Sequence, residues 1–393
     1  MKLPIKMPSF SPFSYIIAIS LFGVIAVTLF MWKIFLLQDK ESDLEKRLGV
    51  ASSEVNKTIA ELKKVQSEDQ YVKNKKLEKD IADIEKTYKT AVTLYENILD
   101  LRAQKTKTDK LDELLANSLH LLSQRNYASA TTQLAALQSE IQKTKDSLTV
   151  AAIPANVPVN NTPPSSGYQR QSVKTDIGTY LVDIISADLN STRVIVETAS
   201  NGDCSNDCPV ASLADYVGRA GAFAGVNGPY FCPAEYPSCA DKKNSFDTLL
   251  MNKNKVYFNS ANNVYSSVPA VIFSGSSARF VGASSEWGRD TGVDSVIAAQ
   301  PMLLSGGNIT FGGDGDPKKG SKGSRAFIGT TGSTIYIGVV HGVTVAESAI
   351  VLKSLGVFNA LNLDSGGSTA LWSGRYIVGP GRNTPFGILL VRK

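Results

Sequence analysis

Hydrophobic and polar positions change rhythm three times along the chain. Tyr15 to Trp32 is an uncharged run of 18 residues, which Ile34–Leu37 extends beyond Lys33. At about 1.5 Å per residue such a stretch crosses a hydrocarbon core of roughly 30 Å, so a transmembrane helix is predicted over 15–37. Trp32 suits the interface and Lys33 can snorkel to the headgroups. No A-x-A-like cleavage site follows, which favours an uncleaved signal anchor over a cleaved signal peptide.

Beyond the anchor, apolar residues recur at Leu44, Leu48, Ala51, Val55, Ile59, Leu62 and Val65, then at Ile81, Ile84, Tyr88, Tyr95 and Ile98. Steps of three and four put them on one stripe, and Lys and Glu cover the rest. One long helix is expected over 39 to about 104, with shorter ones at 109–124 and 127–147. LLSQRNYASATTQLAAL (Leu121–Leu137) resembles the turn of a tetratricopeptide-type hairpin, though one copy is no array. Two readings of this coiled-coil-like stalk (38–150) stay open. It is either a surface for a homo-oligomer or an envelope partner, or a solvated spacer folded back as a short bundle. AAIPANVPVNNTPPSSG (151–167) has four prolines and reads as an extended linker.

From Tyr168 the pattern turns to short β-rich runs broken by Gly, Asn, Ser and Asp. Strands are predicted at Tyr180–Ser186, Thr192–Thr198, Ala222–Val226, Ala270–Phe273, Ser295–Ala299, Ile335–Val340 and Ile388–Val391. Helices are expected at Ser212–Arg219 and Val345–Leu355. The fold class is therefore α+β: a β-rich C-terminal domain (168–393) behind a transmembrane helix and an all-α stalk.

Composition sharpens this division. Of 31 glycines, 29 lie at or after Gly167, and no proline occurs from Phe13 to Ile153. Residues 39–150 carry 19 charges of each sign, and residues 169–393 carry 19 basic against 17 acidic. Neither part has the basic excess of a nucleic-acid binder, so no nucleic-acid partner is expected. All four cysteines, Cys204, Cys208, Cys232 and Cys239, cluster in the C-terminal half. An even cluster of this kind fits two disulfides in an oxidising compartment, and the spacings suit zinc poorly. Three connectivities exist; proximity favours Cys204–Cys208 and Cys232–Cys239. Residues 1–14 would then be cytoplasmic and the C-terminal domain extracytoplasmic.

Five blocks in this domain carry a resemblance. GVNGPYF (Gly225–Phe231), QPMLLSGG (Gln300–Gly307), SRAFIG (Ser324–Gly329), ALNLDSGGST (Ala360–Thr369) and GRNTPFGILL (Gly381–Leu390) follow one another in the order of the phosphodiester glycosidase family. Together they resemble that family over about 175–393. Two positions depart: His341-Gly342-Val343 stands where the family often has Asp-Gly-Arg, and Ser365 replaces a glycine.

The resemblance implies hydrolysis of a sugar-1-phosphodiester through an oxocarbenium-like transition state. The leaving group is a phosphate monoester, with a second pKa of about 6, so it needs little protonation. One carboxylate for the sugar and cations for the phosphate would then suffice. Asp364 is the expected carboxylate and His341 the expected acid/base. Arg325 and Arg382 are expected phosphate clamps. Asn227, Thr369 and the amides of Gly366, Gly367 and Ser368 are expected to bind phosphate or sugar oxygens. No cofactor and no metal is called for: GGDGDPKKG (Gly312–Gly320) lacks EF-hand spacing and reads as an exposed loop. The substrate would be a glycosyl-phosphate or polysaccharide of the envelope. A non-catalytic glycan-binding domain is the rival expectation, favoured by His341.

Overall fold

The computed structural model describes residues 12–67, 69–150, 157–259 and 267–393. Residues 1–11, most of the expected cytoplasmic segment, lie outside this description, as do residue 68 and residues 151–156 of the expected linker. The chain forms two compact units, one ending at Asp83 and the other Ile84–Lys393.

In the first unit, α1 (Pro12–Ser67) contains a stretch long and apolar enough to cross a membrane, with mean hydropathy 2.1. The side chains Leu44, Leu48, Val55, Ile59 and Leu62 of its following stripe are exposed. The expected single helix over 39–104 is described as α1 and α2 (Asp69–Ala103), on either side of residue 68.

In the second unit the helical segment folds back on itself. The last turns of α2 pack with α3 (Asp109–Ser123) and α4 (Tyr127–Val150) around Leu94, Ile98, Leu101, Leu115, Leu134 and Ile141. Leu94, Ile98 and Leu101 follow one another at steps of four and three, which keeps them on one face of α2. Each such buried side chain contributes roughly 1.5–3 kcal/mol.

The β-rich part contains three antiparallel sheets. The largest runs Gly167–Thr175, Gly178–Asp188, Thr334–Val343, Gly323–Thr331, Asn359–Asn362, Met302–Ser305, Asn308–Ile309 in spatial order. A second has five strands, with Ala224–Asn227 between Leu371–Ser373 and Phe386–Arg392. A third, also five-stranded, centres on Ser295–Ala298. Ile185, Ile337 and Leu361 from the first sheet, Val226 and Ile388 from the second, and Val271 and Ile297 from the third share one core. Neighbouring Ile184 faces the other way, into a second core under the helix Val345–Ser354. That is the period-2 alternation a strand imposes.

Local sequence explains the two longer helices described in this domain, Leu213–Ala220 and Val345–Ser354. Ser212 and Thr344 cap their helices and are answered by Asp215 and Glu347, each forming a reciprocal capping box. Gly221 then ends the first helix in a left-handed conformation, φ 60°. The cysteines pair as Cys204–Cys208 and Cys232–Cys239, leaving no free thiol. Alkylation of the unreduced native protein should therefore leave its mass unchanged. Uptake of four alkyl groups without reductant would contradict both pairs.

Candidate functional site

The site begins with an asparagine. Asn227 ends its strand and is 1% exposed. Its side-chain amide donates to the backbone O of Asp364 at 2.7 Å, and its Oδ1 accepts from the N–H of Ala370 at 3.0 Å. The backbone adds Asp364 N–H to Gly228 O (3.1 Å) and Asn227 N–H to Ala370 O (3.1 Å). The loop 364–370 is thus fastened at both ends to one strand. Asn227 was expected to face the phosphate; instead both ends of its amide are used on backbone. It is a brace, because a buried amide must satisfy its donors and acceptor locally.

The fastened loop presents Asp364 to a cleft of about 510 Å³. Asp364, Gly366, Ser368, Arg325, His341 and Arg382 all line it, so six of the nine predicted binding and catalytic residues converge. Gly367 and Thr369 do not; both are buried in the loop behind the wall. Tyr230, Tyr236, Ser324, Lys318 and Asp247 complete the β-domain side. Among the described residues no cluster of His, Cys, Asp or Glu is arranged to hold a metal ion.

Burial pushes the Asp364 carboxyl up to about 7, against hydrogen bonds from Ser368 and the Ser365 N–H and the charge of Arg382. The carboxyl therefore exchanges its proton near neutral pH. Burial also lowers Arg325, which is spoken for on two nitrogens: Nε donates to Val343 O at 3.3 Å, and Nη2 to the carbonyls of Lys318 (2.9 Å) and Ser321. Those bonds leave Nη1 over. Lys318 comes from the short helix Pro317–Gly320, capped by the Asp316 side chain. The segment read as a merely exposed loop thus supplies a cation to the cleft rim. Within the segment Lys319 pairs with Asp314, while the Lys318 ammonium reaches out to Glu96 at 2.9 Å.

His341 belongs to a chain of hydrogen bonds. Its Nδ1 lies 3.1 Å from Ser324 Oγ and its Nε2 lies 2.8 Å from Asp183 Oδ2. Asp183, fully buried, also accepts from Arg170 at 2.8 and 2.9 Å and from Tyr168 OH at 2.6 Å. Burial alone would raise this carboxyl, but the bonds from His341 and Arg170 overcome it and hold it at about 2. The result is a Ser324–His341–Asp183 relay whose hydroxyl end opens to the cleft.

The helical bundle supplies the remaining wall. Asn97, Asp100 and Gln104 of α2 and Lys145 of α4 line the same cleft. Asp100 Oδ1 accepts from Tyr236 OH at 2.6 Å and from Arg382 Nη2. One turn earlier Glu96, 3% exposed, pairs with Lys318 at 2.9 Å and accepts from the Ser238 hydroxyl. Lys145 donates to Asn97 at 2.9 Å, and burial pushes its ammonium down to about 8. None of these four helical residues carries a sequence signal. The β-domain partners of Glu96 and Asp100 lie more than 100 positions away, and only packing brings them together.

This geometry can be set beside known proteins. Residues 220–391 match the family model described as phosphodiester glycosidase. The match lies wholly within the β-rich region and leaves out α1–α4. No curated protein matches the chain. Matching solved structures include the zebrafish N-acetylglucosamine-1-phosphodiester alpha-N-acetylglucosaminidase catalytic domain auto-inhibited by its pro-peptide. It is 15% identical with a TM-score of 0.46, over 60% of this chain and 87% of that one. A hypothetical protein from Synechocystis is 14% identical with a TM-score of 0.40, and the match spans 57% of this chain and 62% of that one. A putative exported protein from Burkholderia pseudomallei K96243 is 12% identical with a TM-score of 0.36, over 54% and 74%.

Two substitutions test the scaffold. Asn227→Ala leaves the Asp364 carbonyl and the Ala370 N–H unpaired in the interior, so a loss of about 2–4 kcal/mol is expected in denaturant unfolding. Asp183→Asn strands Arg170 and His341, with an expected loss of about 3–5 kcal/mol at pH 7. Because the folded-state carboxyl is depressed to about 2, its contribution is complete above about pH 4 and is lost as pH falls towards 2. The stability gap between variant and parent should therefore close over that window; a gap constant from pH 7 to 2 would rule the charge out as its cause.

Proposed function

We propose that this protein is a membrane-anchored, extracytoplasmic glycosidase that hydrolyses a sugar-1-phosphodiester linkage in an envelope or surface glycan. One observation carries the reading: a carboxyl titrating near 7 shares a cleft with Arg325, Arg382 and Lys318. The phosphodiester glycosidase match over 220–391 supports the reaction class. The apolar stretch of α1 and the two disulfides support the compartment.

In this reading the phosphate lies against Arg382 and Nη1 of Arg325, with Lys318 at the rim beyond Tyr236, and the sugar C1 lies against Asp364. The C1–O bond breaks, its electron pair leaves with the phosphate monoester, and water adds at C1. Asp364, as carboxylate, stabilises the developing positive charge and takes the proton of the water. A base with a pKa near the working pH is well matched to that transfer. Ser324 and His341 provide a second exit for the proton towards Asp183. Guanidinium and ammonium groups stabilise the departing charge in a partly desolvated cleft, where such contacts are strongest. The substrate reading predicts a cation-lined, carboxylate-floored site, and a binding domain would need only the cations.

The test is turnover of a synthetic sugar-1-phosphodiester by the detergent-solubilised full chain. Activity should rise with pH through about 7 and fall about tenfold per unit below it, following Asp364. Asp364→Asn should abolish it. The variant should also unfold at a higher temperature at pH 8 than the parent. The raised carboxyl is a cost that is absent below about pH 4 and complete above about 7, at about 1.4 kcal/mol per pK unit. Phosphodiester binding without turnover by the parent would leave the glycan-binding reading in its place.

A further inference from the structure

The two helical carboxylates occupy the cleft as a pair. Glu96 and Asp100 are one turn apart on α2, so they stand about 6 Å apart along its axis. Each has its own cationic and hydroxyl partner on the β-domain: Lys318 and Ser238 for Glu96, Arg382 and Tyr236 for Asp100. Tyr236 separates the two cations, with Lys318 Nζ 4.8 Å and Arg382 Cζ 4.9 Å from its ring centroid. The Asp100 side chain also reaches the glycine turn: a Cβ placed on Gly367 would meet its Oδ1 and the Cβ of Ala103 at 2.9 Å each. Arg382 is 8% exposed, and its Nε has no partner among the described residues. The clamp therefore keeps an unused donor beside the carboxylate it holds.

We infer that Arg382–Tyr236 and Lys318–Ser238 are two anion subsites, that Glu96 and Asp100 hold them closed, and that the ligand which opens them carries two anionic groups about 6 Å apart. Resting on the glycosidase reading, this narrows its substrate class. The glycosyl phosphodiester bears a second negative group, a phosphate or a carboxylate, on the sugar or the aglycone. Singly charged ligands displace Asp100 alone and gain one subsite. Doubly charged ones displace both carboxylates, and α2 releases the glycine turn 366–367. The carboxylates act as a selectivity filter, because a ligand that replaces only Asp100 leaves α2 tied to the β-domain by the Glu96–Lys318 pair, and only one that replaces both frees it.

Calorimetric titration of the solubilised full chain tests this without any turnover. Glucose 1,6-bisphosphate should bind at least tenfold more tightly than glucose 1-phosphate. Asp100→Asn should tighten both ligands several-fold, and Glu96→Gln should tighten only the bisphosphate. Lys318→Ala should erase the difference between them. Glucose carrying a 6-carboxylate beside the 1-phosphate tells the two sources of the second charge apart, binding like the bisphosphate if a carboxylate suffices. Equal affinity for mono- and bisphosphate in the parent overturns the inference, as does weaker bisphosphate binding by Asp100→Asn. A chain that shows the bisphosphate preference yet cleaves no phosphodiester overturns only the glycosidase reading.

Discussion

Everything at the cleft depends on the side-chain amide of Asn227. It stands where the strand Ala224–Asn227 meets the loop that follows Asn359–Asn362, and so where the five-stranded and seven-stranded sheets come together. Without that brace the loop 364–370 would be a glycine-rich turn with little to hold it, since Gly366 sits at φ +64° and Gly367 adds further freedom. With it, the Asp364 backbone is fixed, and its carboxyl has nowhere to go but the cleft. The next inward residue extends the frame: Asn362 donates to Tyr230 OH at 2.8 Å and to Gln300 O at 3.1 Å. A functional carboxylate gains precision when it sits on rigid elements whose own polar groups are satisfied.

The electrostatics follow from that fixed position. Desolvation raises Asp364 and Asp247 and lowers Arg325 and Lys145, so burial disfavours the charged forms of these four groups. The groups tolerate it because cations and carboxylates alternate along the walls. Lys318 meets Glu96, and Arg382 meets Asp100. The lining carries seven Lys and Arg against four Asp, and at Arg382 and Lys318 an entering anion meets a carboxylate already there. Affinity is then set by a difference between two anions on one cation, not by the strength of either ion pair alone.

Much of the fold was legible because local patterns specify it. The strand Thr192–Thr198 was read with its observed bounds, and the helices expected at Ser212–Arg219 and Val345–Leu355 are present, each opened by a capping box. Asp364, Arg325 and Arg382 were singled out from blocks of sequence that resemble a family, and His341 as a departure from it; all four line the cleft. The role of Asn227 was misjudged because a lone Asn-Gly says nothing of whether its amide meets a ligand or a carbonyl 137 positions away. Lys318 was hidden in a segment whose polarity suggested solvent. Asp100 and Glu96 were invisible for a stronger reason: on a charged helix they look like every other solvated acid. Their burial comes from the bundle folding back, and helical periodicity carries no information about what a polar face will meet.

The departure at His341 is then less of an anomaly than the sequence suggests. In the seven-stranded sheet Val339 pairs with Asp183, so Asp183 is the diagonal cross-strand neighbour of His341, within reach of a long side chain. Where the family often carries an aspartate at the cleft, this chain carries an imidazole with an aspartate 2.8 Å behind it. Asp183 lies on the neighbouring strand and is held there by Arg170 and Tyr168. What reaches the cleft here is an imidazole hydrogen-bonded to the Ser324 hydroxyl rather than a carboxylate. A second carboxylate beside Asp364 would raise its pKa further, and Asp183, set behind the imidazole, stands back from the cleft wall.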